Sequence, residues 1–297
     1  MSPELLIQQF VNALSIGSIY ALLALGLAVV FSVLGLLNFA YGEILTITAY
    51  AIVLLVGAGV PLAIAAVIGV IAGIGMSLLT EVVAFRPLRK APAYAVVFSS
   101  FAVSLIVQSL IRNVISPRPQ GLAVPGWLDG VLTLGSIRIP VLAIITIVIA
   151  VLAMVALTSV LQGTKQGLAM RAAAEDFQTT RLMGAKAGRL ILLAFAVSGT
   201  LAGIAGVLWI LRTGSASPDM GFTPLLQAFV AVVLGGMGSL RGAVLGGFAL
   251  AFVEVALQVF LPSAIVPYVQ AITLLVVIAV LYFRPQGFAK KIEERVA

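Results

Sequence analysis

Three ionisable residues, Glu43, Arg241 and Glu254, fall inside or beside long apolar runs of this chain. At membrane depth each would cost at least about 2.5 kcal/mol unless it met a partner or water, so such residues either line a path for a solute, ion or proton or are paired against a neighbouring helix. For Glu43 and Arg241 a further reading is that they lie at headgroup level and snorkel. Glu254, in the middle of ALAFVEVAL, has no such escape and is expected to be shielded by helix contacts in the bundle interior. Other chemistry is scarce. The chain has no His and no Cys, which removes the commonest general base, thiolate metal sites and thiol nucleophiles, and no clustered pair of carboxylates is left for acid and base work. No GxxxxGK[ST] loop occurs, so nothing cradles nucleotide phosphates. Neither an enzyme nor a cofactor nor a bound metal is expected.

The polar residues sit in two interruptions of the apolar pattern that resemble one another. The first, SVLGLLNFAYGEILTI (residues 32–47), carries Asn38, Tyr41 and Glu43; the second, AVVLGGMGSLRGAVLGG (residues 231–247), carries Gly235, Gly236, Ser239 and Arg241. Paired Gly-interrupted hydrophobic segments in two halves of a chain point to a translocation path, because irregular backbone at membrane depth is tolerated only where it lines a cavity or is buried in protein. These seven residues are therefore the candidate path. The contrary reading makes both segments ordinary interfacial turns. With the repeat, the chain is one transmembrane domain, 1–297, of two weakly similar halves, about 1–160 and 161–297.

The surrounding elements must be membrane helices. With 62% hydrophobic and 9% charged residues, the chain lacks the polar groups a water-facing surface needs. Apolar windows of spanning length fall near 9–30, 38–58, 61–84, 93–113, 139–160, 189–211, 222–240, 243–261 and 265–283. The expected class is all-α, a polytopic bundle of eight or nine spans with discontinuous helices. The N-terminal MSPELLIQQF has no basic leader region and reads as part of a retained span. The net charge of +7 is spread over short loops, which marks topology and not a nucleic-acid footprint. Residues 86–90, 165–189 and 284–295 hold most of the Lys and Arg, which places them in the cytoplasm and the loops 114–138 and 212–222 outside. An odd span count then puts the N-terminus outside and the C-terminus inside. Small residues four apart, such as Gly69 with Gly73 and Gly199 with Gly203, are expected to pack helices.

Between two spans lies a cytoplasmic loop, 161–188. Its stretch 169–183 is rich in Ala, Met, Glu and Arg without Pro or Gly, and Gly184 is a natural stop, so a short helix is predicted. Met170, Ala173, Ala174, Phe177 and Leu182 form a face free to dock on a partner or to lie on the membrane.

The stretch GLAMRAAAEDFQTTRLMGAKAGRLILLAFAVSGTLAGIAGVL (residues 167–208) resembles the coupling loop and following helix of ABC-importer permeases of the branched-chain amino acid uptake family. LGLLNFAYGE, GGMGSLRG and the FRPQGF at 283–288 match in the same order. The resemblance implies an inner-membrane permease subunit of a bacterial importer, whose loop helix inserts into an ATP-hydrolysing subunit through Ala172, Ala174, Asp176 and Gly184. Gln178, Thr179 and Thr180 depart from the smaller residues usual there. It also implies a second homologous permease (or a second copy of this chain), two ATP-binding cassette subunits and an extracytoplasmic solute-binding protein. Related permeases carry leucine-type amino acids and others carry urea or short amides. A stand-alone transporter using Glu43 and Glu254 as an ion relay is the competing function.

Overall fold

A computed structural model describes residues 3–89, 91–128, 130–134 and 137–283. FRPQGF, apart from Phe283, and the basic C-terminal segment lie outside the described residues. The described residues form eleven α-helices: α1 Pro3–Leu34, α2 Tyr41–Gly57, α3 Leu62–Thr80, α4 Ala93–Leu110, α5 Val141–Gly163, α6 Lys165–Glu175, α7 Phe177–Leu182, α8 Ala187–Thr213, α9 Phe222–Gly235, α10 Leu240–Phe260 and α11 Val269–Phe283. Wide five-residue turns, Glu81–Phe85 and Ile111–Ile115, prolong α3 and α4. The described residues also include four short strands: β1 Gln120–Gly121, β2 Val131–Leu134, β3 Ile137–Pro140 and β4 Ser215–Ala216. The all-α membrane class is thus found, and each of the nine expected apolar windows is a helix. Among the described residues seven helices are long and apolar enough to cross a bilayer, whereas α2 and α9, with 17 and 14 residues, are shorter.

The helix α1 is the axis of the bundle. Of its most apolar window 89% is buried, against 17% for the window containing α11. It packs on α5, α8, α9 and α10, and Gly247 lets α10 approach so closely that a Cβ there would stand 2.6 Å from the Ala21 nitrogen. The expected small-residue packing is present where α3 and α8 meet: a Cβ on Gly199 would stand 2.6 Å from the Ser77 Cβ, and one on Gly73 would stand 2.5 Å from the Thr48 hydroxyl of α2. Outward-facing positions on α3, α4 and α5 are themselves apolar, among them Val67, Phe98 and Leu152, as lipid requires.

The described loops group at two ends of the bundle. Segments 114–138 and 212–222 meet in the β1–β4 pair, with Gln120 opposite Ala216 and Gly121 opposite Ser215. Arg86, Arg89, Lys186 and Arg189 line one cleft at the other end.

Candidate functional site

The first interruption is a true helix end followed by a return into the bundle. Gly35, with φ of +66°, closes α1 and its amide bonds to the Phe31 carbonyl at 2.7 Å. The chain then turns at Asn38, whose Oδ1 accepts the Ala40 amide at 3.0 Å, and α2 starts at Tyr41 deep among other helices. The Tyr41 hydroxyl donates to the Leu23 carbonyl at 2.9 Å. Gly26 leaves the notch it occupies, since a Cβ at that position would stand 2.2 Å from the Tyr41 oxygen.

Glu43 is 1% exposed, so it is paired and does not snorkel. Its Oε1 accepts from Ser104 Oγ at 2.7 Å and Gln108 Nε2 at 2.8 Å, while Oε2 has no protein partner. Ser100 of the same helix accepts the Phe39 amide at 3.1 Å. Ser100, Ser104 and Gln108 recur every fourth residue, which makes one polar stripe down α4. That stripe is visible in the sequence and complements the first interruption.

The N-terminus of α9 arrives at the same place. A Cβ on Gly42 would stand 2.4 Å from the Gly221 oxygen, and one on Gly221 would stand 2.1 Å from the Gly42 oxygen, so two backbones touch where two short helices begin. Both helices thus point their positive dipole ends at one region. Asp219, exposed on the loop before α9, acts electrostatically on Glu43 and Tyr50. Sequence reading missed Asp219 and Gly221, although a 14-residue apolar run preceded by SPDMG is too short to span alone.

The second interruption lies elsewhere. Gly236 and Gly238, with φ of +98° and +93°, reverse the chain, and a Cβ on Gly235 would stand 2.0 Å from the Gly242 oxygen. Ser239 caps α10 by accepting the Gly242 amide at 3.0 Å. Arg241 is exposed. Gly238 and Leu240 share a cleft of about 240 Å³ with Val29 and Ser32 of α1 and Arg171 and Ala174 of α6. The seven candidate path residues therefore fall in two places, Asn38, Tyr41 and Glu43 at the α2–α9 meeting point and Gly235, Gly236, Ser239 and Arg241 beside the loop helices.

The loop is two helices where one was expected. Asp176 leaves helical geometry (φ −145°, ψ 103°) and caps α7, accepting the Gln178 and Thr179 amides at 2.9 and 3.0 Å and the Thr179 hydroxyl. A short carboxylate next to free amides competes with the helix for its own backbone. These bonds, the Thr179 hydroxyl first, hold the Asp176 carboxyl below its ordinary range. The stop at Gly184 is found, with φ of +93°. Two of the five residues of the expected docking face, Met170 and Ala173, are already buried on the chain's own bundle. What faces outward is Ala172, Ala174, Asp176 and Gly184, with Leu168, Leu182 and Met183 adding apolar surface that sequence reading did not single out in full.

Glu254 is met as expected by a neighbouring helix. The Tyr20 hydroxyl of α1 donates to its Oε2 at 2.9 Å, and Arg212, which donates to Asn12 Oδ1 at 3.3 Å, acts on it electrostatically. Among the described residues no group of His, Cys, Asp and Glu is arranged to hold a metal.

A family model described as branched-chain amino acid transport system permease component matches residues 9–283. The chain is 36% identical over 298 residues to the high-affinity branched-chain amino acid transport system permease protein BraD of Pseudomonas aeruginosa, covering 95% of this chain and 94% of that one. It is 31% identical to permease protein LivH of Escherichia coli over 97% of each. Permease protein LivM of Salmonella typhimurium is 30% identical, over 84% of this chain and 63% of that one. No solved structure matches the chain.

Proposed function

This chain belongs to the permease components of branched-chain amino acid transport systems, and on that premise we propose that it forms half of the membrane pore of an ATP-driven importer for branched-chain amino acids. The observation that carries this reading is the seating of α6 in one cleft with the last turns of α1 and the hairpin between α9 and α10. A partner that pushes on α6 would push directly on one of the two irregular segments. Separate ATP-hydrolysing subunits dock on the outward surface made by Ala172, Ala174, Asp176 and Gly184, and that end of the molecule is cytoplasmic.

The substrate passes the region where α2 and α9 begin, with Asn38, Tyr41, Glu43 and Asp219 around it. Converging helix N-termini suit a carboxylate and the acidic side chains suit an ammonium group, which together describe a zwitterion. Gly235, Gly236, Ser239 and Arg241 form the inner gate next to the loop helices. Each half of the chain, 1–160 and 161–297, contributes one of the two helices, α2 and α9, whose starts meet at Gly42 and Gly221, which supports the two-repeat reading. A second permease, homologous or identical, completes the pore, and a solute-binding protein delivers substrate on the side of the β1–β4 pair. Nucleotide can shift the pore between its states only by its differential affinity for them, and α6–α7 is the contact through which that difference acts.

The test is a Gly184→Asp or Ala174→Asp variant assembled with its ATPase subunits in proteoliposomes. The variant is expected to reach the membrane and to lose uptake while ATP is still hydrolysed. Uptake at the unsubstituted rate would remove α6–α7 from the mechanism.

A further inference from the structure

The cleft that gathers the basic residues is built from two membrane helices. The end of α3, at Glu81–Phe85, supplies Glu81 and the following Arg86 and Arg89; the start of α8 supplies Lys186, Gly188, Arg189 and Leu192. Its volume is about 280 Å³. Four cations face it against one carboxylate, and that carboxylate, Glu81, is buried and already paired with Arg89. Arg86 and Arg189 are exposed, and neither makes a salt bridge among the described residues. The long helix α8 begins in this cleft with no side chain capping it. Gly188, in its first turn, leaves Arg89 close, since a Cβ there would stand 3.8 Å from Arg89 Nη1. The rim is apolar: Leu192 lines the cleft, and Val82 and Val83 are exposed on the adjoining turn.

We propose that this cleft is a phosphate-binding site that takes the headgroup of an anionic phospholipid. Three features converge on that chemistry. Arginine forks match phosphate oxygens bidentately. An uncapped helix start adds amide donors and positive potential. The apolar rim lies on the same helices that cross the bilayer, so acyl chains have a surface to follow once the phosphate is seated. Glu81 keeps Arg89 positioned and leaves Arg86, Lys186 and Arg189 to neutralise the ligand. Because α8 follows directly after α7 and the turn at Gly184, a lipid seated here also braces the base of the loop helices against the membrane.

The experiment compares the full chain, assembled with its transport partners, in nanodiscs of phosphatidylcholine alone and of phosphatidylcholine with phosphatidylglycerol. Lipids retained after detergent extraction are counted by native mass spectrometry. Selective retention of phosphatidylglycerol is expected. Arg86→Gln with Arg189→Gln should reduce it by about fivefold for each cation removed, roughly 25-fold for the pair. Arg112→Gln, an exposed arginine at the opposite end of α4, should leave it unchanged. Size-exclusion profiles show whether each variant is folded, and either single substitution serves if the pair fails to fold. A saturable response to inorganic phosphate in phosphatidylcholine discs, without selective lipid retention, would keep the phosphate site but replace the headgroup by the free ion. Equal retention of both lipids with no phosphate response would overturn the proposal. So would substitutions that leave lipid retention intact and instead release the ATPase subunits, because the cluster would then be a protein interface.

Discussion

Replacing Gly221 by Ala tests the meeting of α2 and α9 more sharply than any change at a charged residue. The new Cβ would stand 2.1 Å from the Gly42 oxygen and 2.6 Å from the Thr46 hydroxyl oxygen. Real Cβ atoms essentially never approach below 3.0 Å, so the two backbones must separate by about 0.9 Å. The obstructing atom is main chain, which has no rotamer to give. Retreat of α2 pulls on the bond from the Tyr41 hydroxyl to Leu23 and on the bonds holding Glu43 to Ser104 and Gln108, all between 2.7 and 2.9 Å. Overpacking of about 1–3 kcal/mol and the loss of one such bond at about 1 kcal/mol give roughly 3 kcal/mol. That corresponds to about a 150-fold shift against the native arrangement. The assays are thermal unfolding of the purified complex and uptake in proteoliposomes. The control is Gly57→Ala, where a Cβ meets nothing within 4 Å. Gly42→Ala should behave like Gly221→Ala, and the double variant should cost less than the two combined, because one separation serves both. A Gly221→Ala protein as stable and active as Gly57→Ala would refute the proposed contact and the path built around it.

Other outcomes are expected from the remaining contacts. Tyr20→Phe removes the donor to Glu254 and should destabilise the bundle by about 1–3 kcal/mol, read from thermal unfolding in detergent, with Glu254→Gln milder because an amide oxygen still accepts. Glu43→Ala should cost more than Glu43→Gln in thermal stability, since it removes the acceptor of the Ser104 hydroxyl and leaves Gln108 Nε2 with the Ser104 oxygen alone. Asp176 has a depressed carboxyl in the folded chain, so its cap is fully present above the ordinary aspartate range and is lost as pH falls through the lowered value. A spin label at Leu182 should therefore become mobile on acidification in the unsubstituted chain, and an Asp176→Ala chain should show that mobility at neutral pH already.

Much of the fold is legible in the sequence because lipid imposes a simple rule. A helix that must satisfy its backbone alone leaves an apolar run of fixed length, and each expected run is a helix. The two interruptions are legible for a similar reason, since Gly35, Gly236 and Gly238 occupy left-handed backbone that other residues avoid. What sequence reading could not supply was which ends meet. Similarity paired the segment holding Glu43 with the one holding Arg241, whereas close packing pairs Gly42 with Gly221. A glycine required by another backbone carries no local mark, because its reason lies in a helix far along the chain. The split at Asp176 was hidden differently. Helix propensity summed over 169–183 is high, and one carboxylate placed to take two amides outweighs it locally.

The enclosure of α1 also constrains how the molecule is built. This helix is made before α8, α9 and α10, which cover much of it. Until they emerge it resides in lipid, which its long apolar run favours. Chains truncated before α10 would leave Tyr20 without its acceptor and the Gly17 face without Phe248. Assembly thus includes a clasp, in which later helices close around an earlier one.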